Sequence, residues 1–230
     1  MKDDENAEIR KLVLIGESGV GKTCIINRFL NDKFEDDVKS TGMATFASKT
    51  LNFNEFQKSI QFQIWDTAGQ EKYRALNRMF YKDAAAAILV YDITNKETYE
   101  EIKDYWYNQI KEFAPKNISK KIYYYNFILF ILVIGLAGNK SDLFMNEEVK
   151  EEEAKDLSQE IGAIFSLTSA CTSSGIEELF KKIGYKLLEQ NVKIDKNSIE
   201  NPRKDEANTN RVKLDIQKDK KDAGKKKNCC

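Results

Sequence analysis

One stretch of the sequence decides the fold: Lys11-Leu12-Val13-Leu14-Ile15-Gly16-Glu17-Ser18-Gly19-Val20-Gly21-Lys22-Thr23. Its first part, residues 11–15, is nearly all apolar and predicts a buried parallel strand, and a helix-like stretch, residues 22–31, follows the last glycine. The loop between them fits the pattern G-x-x-x-x-G-K-[ST], in which backbone N–H groups bind phosphates. Strand, glycine-rich loop and helix in this order predict a nucleotide site in an α/β domain. A plain glycine turn before a helix is the alternative.

The residues of this loop have separate predicted roles. The glycines let the backbone approach phosphates, and the helix N-terminus places partial positive charge beneath them. Lys22 is predicted to contact the β- and γ-phosphates and to neutralise their charge during catalysis, while the Thr23 hydroxyl binds Mg²⁺. The predicted nucleotide-binding residues of this segment are Glu17, Ser18, Gly19, Val20, Gly21, Lys22, Thr23 and Cys24.

A second motif, Asp66-Thr67-Ala68-Gly69-Gln70, follows the alternating strand pattern of residues 60–65. Ligands of open α/β sheets bind at the carboxyl ends of the strands, so Asp66 is predicted to hold Mg²⁺ directly or through water. The N–H of Gly69 can approach a γ-phosphate, and Gln70 is placed to orient the attacking water. Gln70 and Lys22 are therefore the predicted catalytic residues. The alternative for Gln70 is a solvated loop residue.

Two later motifs, Asn139-Lys140-Ser141-Asp142 and Thr168-Ser169-Ala170, specify the base. The Asp142 carboxylate can accept two N–H bonds from guanine, whereas adenine lacks that donor pair and would leave the carboxylate unpaired. Lys140 can lay its aliphatic stem over the base. The predicted base site consists of Asn139, Lys140, Asp142, Ser169, Ala170 and Cys171. The four motifs together predict a guanine-nucleotide switch.

With these motifs in this order, the chain resembles the small GTPases of the Ras superfamily, and within them the Rab branch, over about residues 9–190. Residues 65–74 are similar to the Rab switch II, and Cys229-Cys230 is similar to a Rab double-prenylation site. Glu17-Ser18 and the run Tyr91-Asp92-Ile93-Thr94 most resemble the early-endosomal Rabs. The resemblance implies a GTP-hydrolysing switch with bound GTP or GDP and Mg²⁺, which regulates vesicle traffic.

The resemblance also implies roles for further residues. Phe34 would flank the guanine edge, and Thr41 would bind Mg²⁺ only when GTP is present. Three aromatic residues would be read by effectors, with plain core packing as the alternative: Phe46, Trp65 and Phe80. Two departures stand out. Gly42-Met43 replaces the usual Ile-Gly, and Cys171 replaces the usual Lys, which predicts faster nucleotide dissociation.

The partners implied are an exchange factor, a GTPase-activating protein that supplies an arginine finger, effectors, and a chaperone of the GDP-dissociation-inhibitor type. We expect a monomer that binds no nucleic acid, carries a lipid anchor on the cytoplasmic face of endosomal membranes and cycles through the cytosol. A Ras-type signalling GTPase is one alternative, against which Trp65 and the double-Cys end argue. A nucleotide-binding scaffold with negligible hydrolysis is another, against which Gln70, Thr23 and Thr41 argue.

Composition narrows the classes of function. The chain has no His, which excludes Ser-His, Cys-His and His-metal chemistry. Its four Cys form neither a disulfide framework nor a zinc pattern and indicate a reducing compartment, and the charged start predicts no signal peptide. After residue 190 stand 12 Lys/Arg and 7 Asp/Glu, a net +5, and the remaining 25 and 30 give −5. A basic tail suits an anionic membrane surface more than nucleic acid, although it is also simply solvated.

Alternating strand and helix patterns predict one P-loop GTPase domain of the α/β class, with a mostly parallel six-stranded sheet and helices on both faces. The later predicted strands are residues 84–91 and 164–167, and the later predicted helices are residues 96–113, 147–161 and 175–190. Residues 1–8 are predicted to be a flexible N-terminus, residues 9–190 the domain, and residues 191–230 a disordered tail.

Residues 119–132 interrupt this pattern with an aromatic and aliphatic run. Our preferred hypothesis is a translated intron, because the residue types have AT-rich codons and removal of the segment restores a continuous family pattern. An apolar surface loop covered by a partner is the second hypothesis. A membrane span is the third, for which the run falls short of about 20 apolar residues.

Overall fold

A computed structural model of the chain describes residues 7–35, 41–42, 44–67, 69, 79–113 and 132–199, with the backbone alone for residues 191–199. Several predicted features lie outside the described residues: Met43, Gln70, most of the 119–132 insertion and the terminal Cys229 and Cys230. The chain divides into two units, Met1–Gln190 and Asn191–Cys230.

The first unit contains a six-stranded sheet. Its strands are β1 (Glu8–Ile15), β2 (Thr45–Phe53), β3 (Lys58–Asp66), β4 (Ala86–Asp92), β5 (Val133–Asn139) and β6 (Ile164–Leu167). They are arranged in the order β2-β3-β1-β4-β5-β6. β2 pairs antiparallel with β3, and every other pair is parallel. This confirms the predicted fold class.

Four helices lie entirely within the described residues, and residues 79–81 are also helical. They are α1 (Lys22–Asn31), α2, α3 (Glu151–Ile161) and α4 (Ile176–Ile199), where α2 consists of an α-helical segment (Lys96–Glu101), a π-helical segment (Ile102–Trp106) and a second α-helical segment (Tyr107–Phe113). Short 3₁₀ helices span Asn54–Phe56 and Ser141–Asn146. Within the described residues, every helix is too short or too polar to cross a lipid bilayer.

The helices cover both faces of the sheet because successive strand residues point to opposite sides. Leu12 and Leu14 of β1 belong to a core cluster with apolar residues of α1 and α4. Val13 and Ile15 belong to a second cluster with residues of α2 and α3. Because β1, β3, β4, β5 and β6 are parallel, their carboxyl ends meet at one edge of the sheet, and the loops that follow them begin there.

Two element boundaries differ from the predictions, and one strand was not predicted. α3 begins at Glu151 instead of residue 147, because Lys150 has an extended backbone and the N–H groups of Glu148 and Val149 donate to the carbonyl of Ile93. α4 ends at Ile199 instead of residue 190, so the first nine residues of the predicted disordered tail have a helical backbone. No Gly or Pro occurs between Gly184, inside α4, and Pro202 to end the helix earlier. β2 was not predicted, because its residues are mostly polar and exposed.

Candidate functional site

The phosphate loop has a backbone that requires glycine at two positions. Gly16 has φ +149, and a Cβ there would lie 2.1 Å from the carbonyl oxygen of Val90. Gly21 has φ +93, and its Cβ would lie 2.3 Å from Asn139 Nδ2. That Nδ2 donates to the carbonyl of Val20 at 2.8 Å. The first and third sequence motifs are therefore in direct contact, and any side chain at position 21 would separate them.

Lys22 is buried within the loop that it follows. Its Nζ donates to the carbonyls of Gly16, at 2.8 Å, and Glu17, at 2.7 Å. Burial lowers its pKa to about 8, although the nearby Asp66 and Glu17 carboxylates partly offset that effect. A phosphate bound in the loop would favour the charged ammonium, so the site can take up anionic ligands at this lysine.

The other residues of the loop divide by exposure. Ser18 and Gly19 are exposed, Val20 is buried, and Cys24 is half-buried against the cluster that contains α1. The Glu17 carboxylate accepts a hydrogen bond of 3.2 Å from Trp106 Nε1, at the end of the π-helical segment of α2. Sequence reasoning did not identify Trp106. It fixes the Glu17 side chain, while the Glu17 carbonyl bonds to Lys22.

Three oxygen-bearing side chains meet beside Lys22. Thr23 Oγ1 donates to Asp66 Oδ2 at 2.6 Å, and the hydroxyls of Thr23 and Thr41 lie 2.8 Å apart. Thr41 Oγ1 lies 3.4 Å from the same Asp66 oxygen. Burial raises the pKa of Asp66, whereas the Thr23 hydrogen bond, the Lys22 charge and the Thr41 hydrogen bond act in the opposite direction. These are the three residues predicted to bind a metal.

The donor set fits Mg²⁺. Mg²⁺ binds oxygen ligands, often one or two carboxylates together with substrate phosphates. Asp66 Oδ1 is buried and has no hydrogen-bond partner in the described part of the chain, so one carboxylate oxygen is left for a ligand. In that same part, no group of three or more acidic or Cys side chains could hold a metal. An ion at this position would therefore need further ligands from a nucleotide.

Gly69 brings the second motif against the phosphate loop. A Cβ at this position would lie 2.5 Å from both Lys22 Nζ and the carbonyl oxygen of Glu17. Position 69 therefore requires glycine, because its backbone lies too close to Lys22 and Glu17 to leave room for a side chain. Its neighbour Gln70 lies outside the described residues, so its predicted role remains a prediction.

The third and fourth motifs are joined by hydrogen bonds. The Thr168 hydroxyl lies 3.3 Å from Asn139 Oδ1, and the Ser141 N–H donates to the carbonyl of Thr168. The Ser169 hydroxyl donates to Asp142 Oδ1 at 2.5 Å. Asn139 and Ser169 are buried, whereas Asp142 is half-buried. The carboxylate is therefore held from one side and can accept bonds at its other oxygen.

Lys140 has a charge partner that sequence reasoning missed. Its Nζ lies 2.5 Å from Oδ2 of Asp92, the last residue of β4. Asp92 Oδ1 accepts bonds from the N–H and hydroxyl of Thr94, at 2.9 and 2.7 Å. The sheet pairs Asp92 with Asn139, which places it beside Lys140. A carboxylate at the end of a buried strand was the signal available in the sequence.

The three predicted effector residues form one aromatic cluster. Ring centroids are 5.3 Å apart for Phe46 and Trp65, and also for Trp65 and Phe80. Phe46 is 52% exposed, whereas Trp65 and Phe80 are half-buried. Lys11 Nζ lies 5.5 Å from the Trp65 ring. The cluster thus combines core packing with an exposed aromatic surface.

These features define a phosphate-loop nucleotide-binding domain. A family model described as "Ras family" matches residues 11–189. The chain is 42% identical over 178 residues to Ras-related protein Rab-22A of Homo sapiens, covering 77% of this chain and 82% of that protein. It is 40% identical over 177 residues to Ras-related protein RABF2b of Arabidopsis thaliana, covering 77% and 80%. It is 39% identical over 178 residues to Ras-related protein Rab-4A of Rattus norvegicus, covering 77% and 74%.

The chain therefore belongs to the Ras family of small GTPases, as a Rab-type member. It is a GTPase that acts as a molecular switch in vesicle traffic, and as a member of this family it works with regulators and effectors. The predicted family, fold and enzyme class are confirmed. The Rab relatives also decide against the Ras-type signalling alternative.

Proposed function

We propose that the nucleotide lies along the carboxyl edge of the sheet. Its phosphates contact residues 17–24 and Gly69. Its guanine lies between Phe34 and the segments that contain Asn139, Lys140 and Asp142, and Ser169, Ala170 and Cys171. The observation that carries this proposal is the meeting of Thr23, Thr41 and Asp66 beside Lys22. These residues come from three separate segments, and a nucleotide polyphosphate with Mg²⁺ would use them together with Lys22.

Thr23, Thr41 and Asp66 are the residues that would hold Mg²⁺. When bound, the ion neutralises charge on the phosphates. Thr41 lies in the segment that connects α1 to β2, whereas Thr23 is the second residue of α1 and Asp66 ends β3. We infer that Thr41 reports the state of the nucleotide, because its contact with the site depends on a hydroxyl in a connecting segment and not on an element of the core.

Hydrolysis in this proposal is positioning combined with charge stabilisation. Lys22 holds a proton at Nζ and stabilises negative charge between the β- and γ-phosphates. The N–H of Gly69 faces the γ-phosphate, and Gln70 orients the attacking water. Turnover by the protein alone is slow, and a GTPase-activating protein accelerates it by supplying an arginine.

Replacing Gln70 with Leu should leave GTP binding intact but lower stimulated turnover about 100-fold, the scale of loss for one positioned polar group. Single-turnover phosphate release, with and without a Rab-directed activating protein, measures this. The matched control is Gln159→Leu, an exposed position on α3. Equal stimulation of the Gln70→Leu variant and the parent would show that Gln70 has no such role. An absence of phosphate release from the parent would favour the scaffold alternative.

We further propose that the GTP form acts at endosomal membranes. The resemblance of Glu17-Ser18 and of residues 91–94 to early-endosomal Rabs supports this location. Effectors would read the cluster of Phe46, Trp65 and Phe80 in the GTP state. An exchange factor would reload GTP, and a chaperone of the GDP-dissociation-inhibitor type would extract the GDP form. Localisation of a tagged chain in its own cells, against endosomal and Golgi markers, tests this proposal.

A lipid anchor on Cys229 and Cys230 would attach the protein to the membrane. One lipid chain gives only marginal membrane binding. Stable attachment therefore needs two lipid chains, or one lipid chain together with the Lys225-Lys226-Lys227 cluster. The double variant Cys229→Ser/Cys230→Ser should move from the membrane to the soluble fraction and still bind GTP. Cys171→Ser, at an exposed cysteine of the domain, is the control and should stay with membranes. Unchanged fractionation of the double variant would refute the anchor.

A further inference from the structure

Arg28, in the last turn of α1, joins two segments of the proposed base site. Its Nε donates to the carbonyl of Ala170 at 2.8 Å, and its Nη2 donates to the carbonyl of Cys171 at 2.9 Å. Its Nη1 donates to the backbone and side-chain oxygens of Asp32, at 2.9 and 3.0 Å. Arginine has five N–H donors in a rigid fork, and four hydrogen bonds are made here. The guanidinium therefore connects α1 with a loop 142 residues later in the chain.

The same guanidinium faces the segment that carries Phe34. Its Cζ lies 5.9 Å from the centroid of the Phe34 ring. Asp32, which ends α1 in the left-handed conformation with φ +53, donates its N–H to the Arg28 carbonyl. Arg28 thus contacts both segments proposed to contact guanine. Its side chain is only 14% exposed, while that of Asp32 is 82% exposed, so solvent weakens the Asp32 ion pair more than the bonds to the two carbonyls.

A chain of hydrogen bonds runs from Arg28 to the carboxylate predicted to bind guanine. The Cys171 carbonyl belongs to the planar peptide whose N–H is that of Thr172, and in a trans peptide the two groups point in opposite directions. With the carbonyl bonded to Arg28, the Thr172 N–H donates to Ser169 Oγ at 3.0 Å. The Ser169 hydroxyl in turn donates to Asp142 Oδ1. Each hydrogen bond in such a chain polarises the next.

We propose that Arg28 is a positioning residue for guanine recognition, which orients Asp142 through the Cys171–Thr172 peptide and Ser169 and thereby slows nucleotide release. The inference rests on the base site proposed above. It depends on the shape of the guanidinium as well as its charge, because two carbonyls and Asp32 are reached at once. A lysine ammonium is a point charge and cannot span these acceptors.

The test is nucleotide release from the full chain. Fluorescent GDP and fluorescent inosine diphosphate, which lacks the 2-amino group of guanine, are displaced by excess GDP in a stopped-flow instrument. The parent is compared with Arg28→Met, Arg28→Lys and a control, Lys155→Met, whose ion pair with Glu151 lies on α3. We expect GDP release to be about tenfold faster in Arg28→Met, since hydrogen bonds to a charged group are lost. The control should release GDP at the parental rate.

The inosine nucleotide separates positioning from a general loss of structure. If Arg28 acts through Asp142, release of inosine diphosphate accelerates much less than release of GDP, because that ligand already lacks one bond to the carboxylate. In Arg28→Lys, GDP release should likewise accelerate more than release of inosine diphosphate. This variant replaces Arg28→Met in the test if Arg28→Met does not fold. Equal acceleration of both nucleotides, or no acceleration, would overturn the inference alone. Equal release of the two nucleotides from the parent would overturn the base site as well.

Discussion

Replacing Asp142 with Asn is expected to move the preference of this GTPase from guanine to xanthine nucleotides and to change the GTP-to-XTP affinity ratio by about 10³ or more. Guanine presents two N–H donors to the carboxylate. Xanthine has a carbonyl in place of the amino group, and this carbonyl can accept a hydrogen bond from the Asn amide. The parent should likewise prefer GTP over ATP by about 10³ or more, because adenine would leave the carboxylate unpaired.

The surroundings of Asp142 allow this exchange without rebuilding the site. The Ser169 hydroxyl bonds Oδ1, an oxygen that the Asn amide can also present. The change is therefore confined to the second oxygen, which is replaced by an NH₂ group that donates hydrogen bonds. Competition among GTP, XTP and ATP measures the shift, with Asp156→Asn on the exposed face of α3 as the control. Comparable ATP and GTP affinities in the parent would contradict the guanine site, and a retained guanine preference in Asp142→Asn would exclude Asp142 as the base contact.

The sequence was sufficient for the parts of the fold that local patterns specify. The α1 bounds agree with the prediction because Gly21 and the apolar period of residues 22–31 determine both its start and its length. The contact between Thr23 and Asp66 could also be predicted from the sequence. Thr23 follows the loop after strand β1, Asp66 is the last residue of strand β3, and parallel strands end at the same edge of the sheet.

The sequence was insufficient where the site depends on pairing between distant segments. Asp92 approaches Lys140 because β4 and β5 are in a register that pairs Asp92 with Asn139. No local pattern specifies that register. The contacts of Arg28 could not be predicted either. An arginine near the end of a helix is common, and its acceptors here are backbone carbonyls, which every residue type has. The aromatic cluster was predicted by resemblance, but its division into exposed Phe46 and half-buried Trp65 follows from edge strand β2.

Replacing Lys22 with Met is expected to weaken binding of both GTP and GDP about 10³-fold. Loss of one partner from a buried charge-assisted contact costs about 4 kcal/mol, and each 1.4 kcal/mol corresponds to a factor of ten. The contrast with Asp142→Asn is diagnostic, because the Lys22 change should affect guanine and xanthine nucleotides equally. Equilibrium titration with a fluorescent GDP measures it, and Lys82→Met, at an exposed surface lysine, is the control.

The burial of Lys22 also predicts a pH dependence with a defined sign. Its pKa is lowered to about 8 in the folded protein from an ordinary value of 10.5, so the unfolded chain binds more protons between these pH values. The stability of the nucleotide-free fold should therefore rise with pH across that window.

The affinity for nucleotide should show the opposite trend and fall as the pH rises. Phosphates favour the ammonium, and above about pH 8 binding must take up a proton, so GDP affinity should fall by up to about tenfold per pH unit. Because Lys22→Met lacks the titrating group, its weaker affinity should change less between pH 7 and 9. Parallel pH profiles for the parent and this variant would show that Lys22 stays charged throughout.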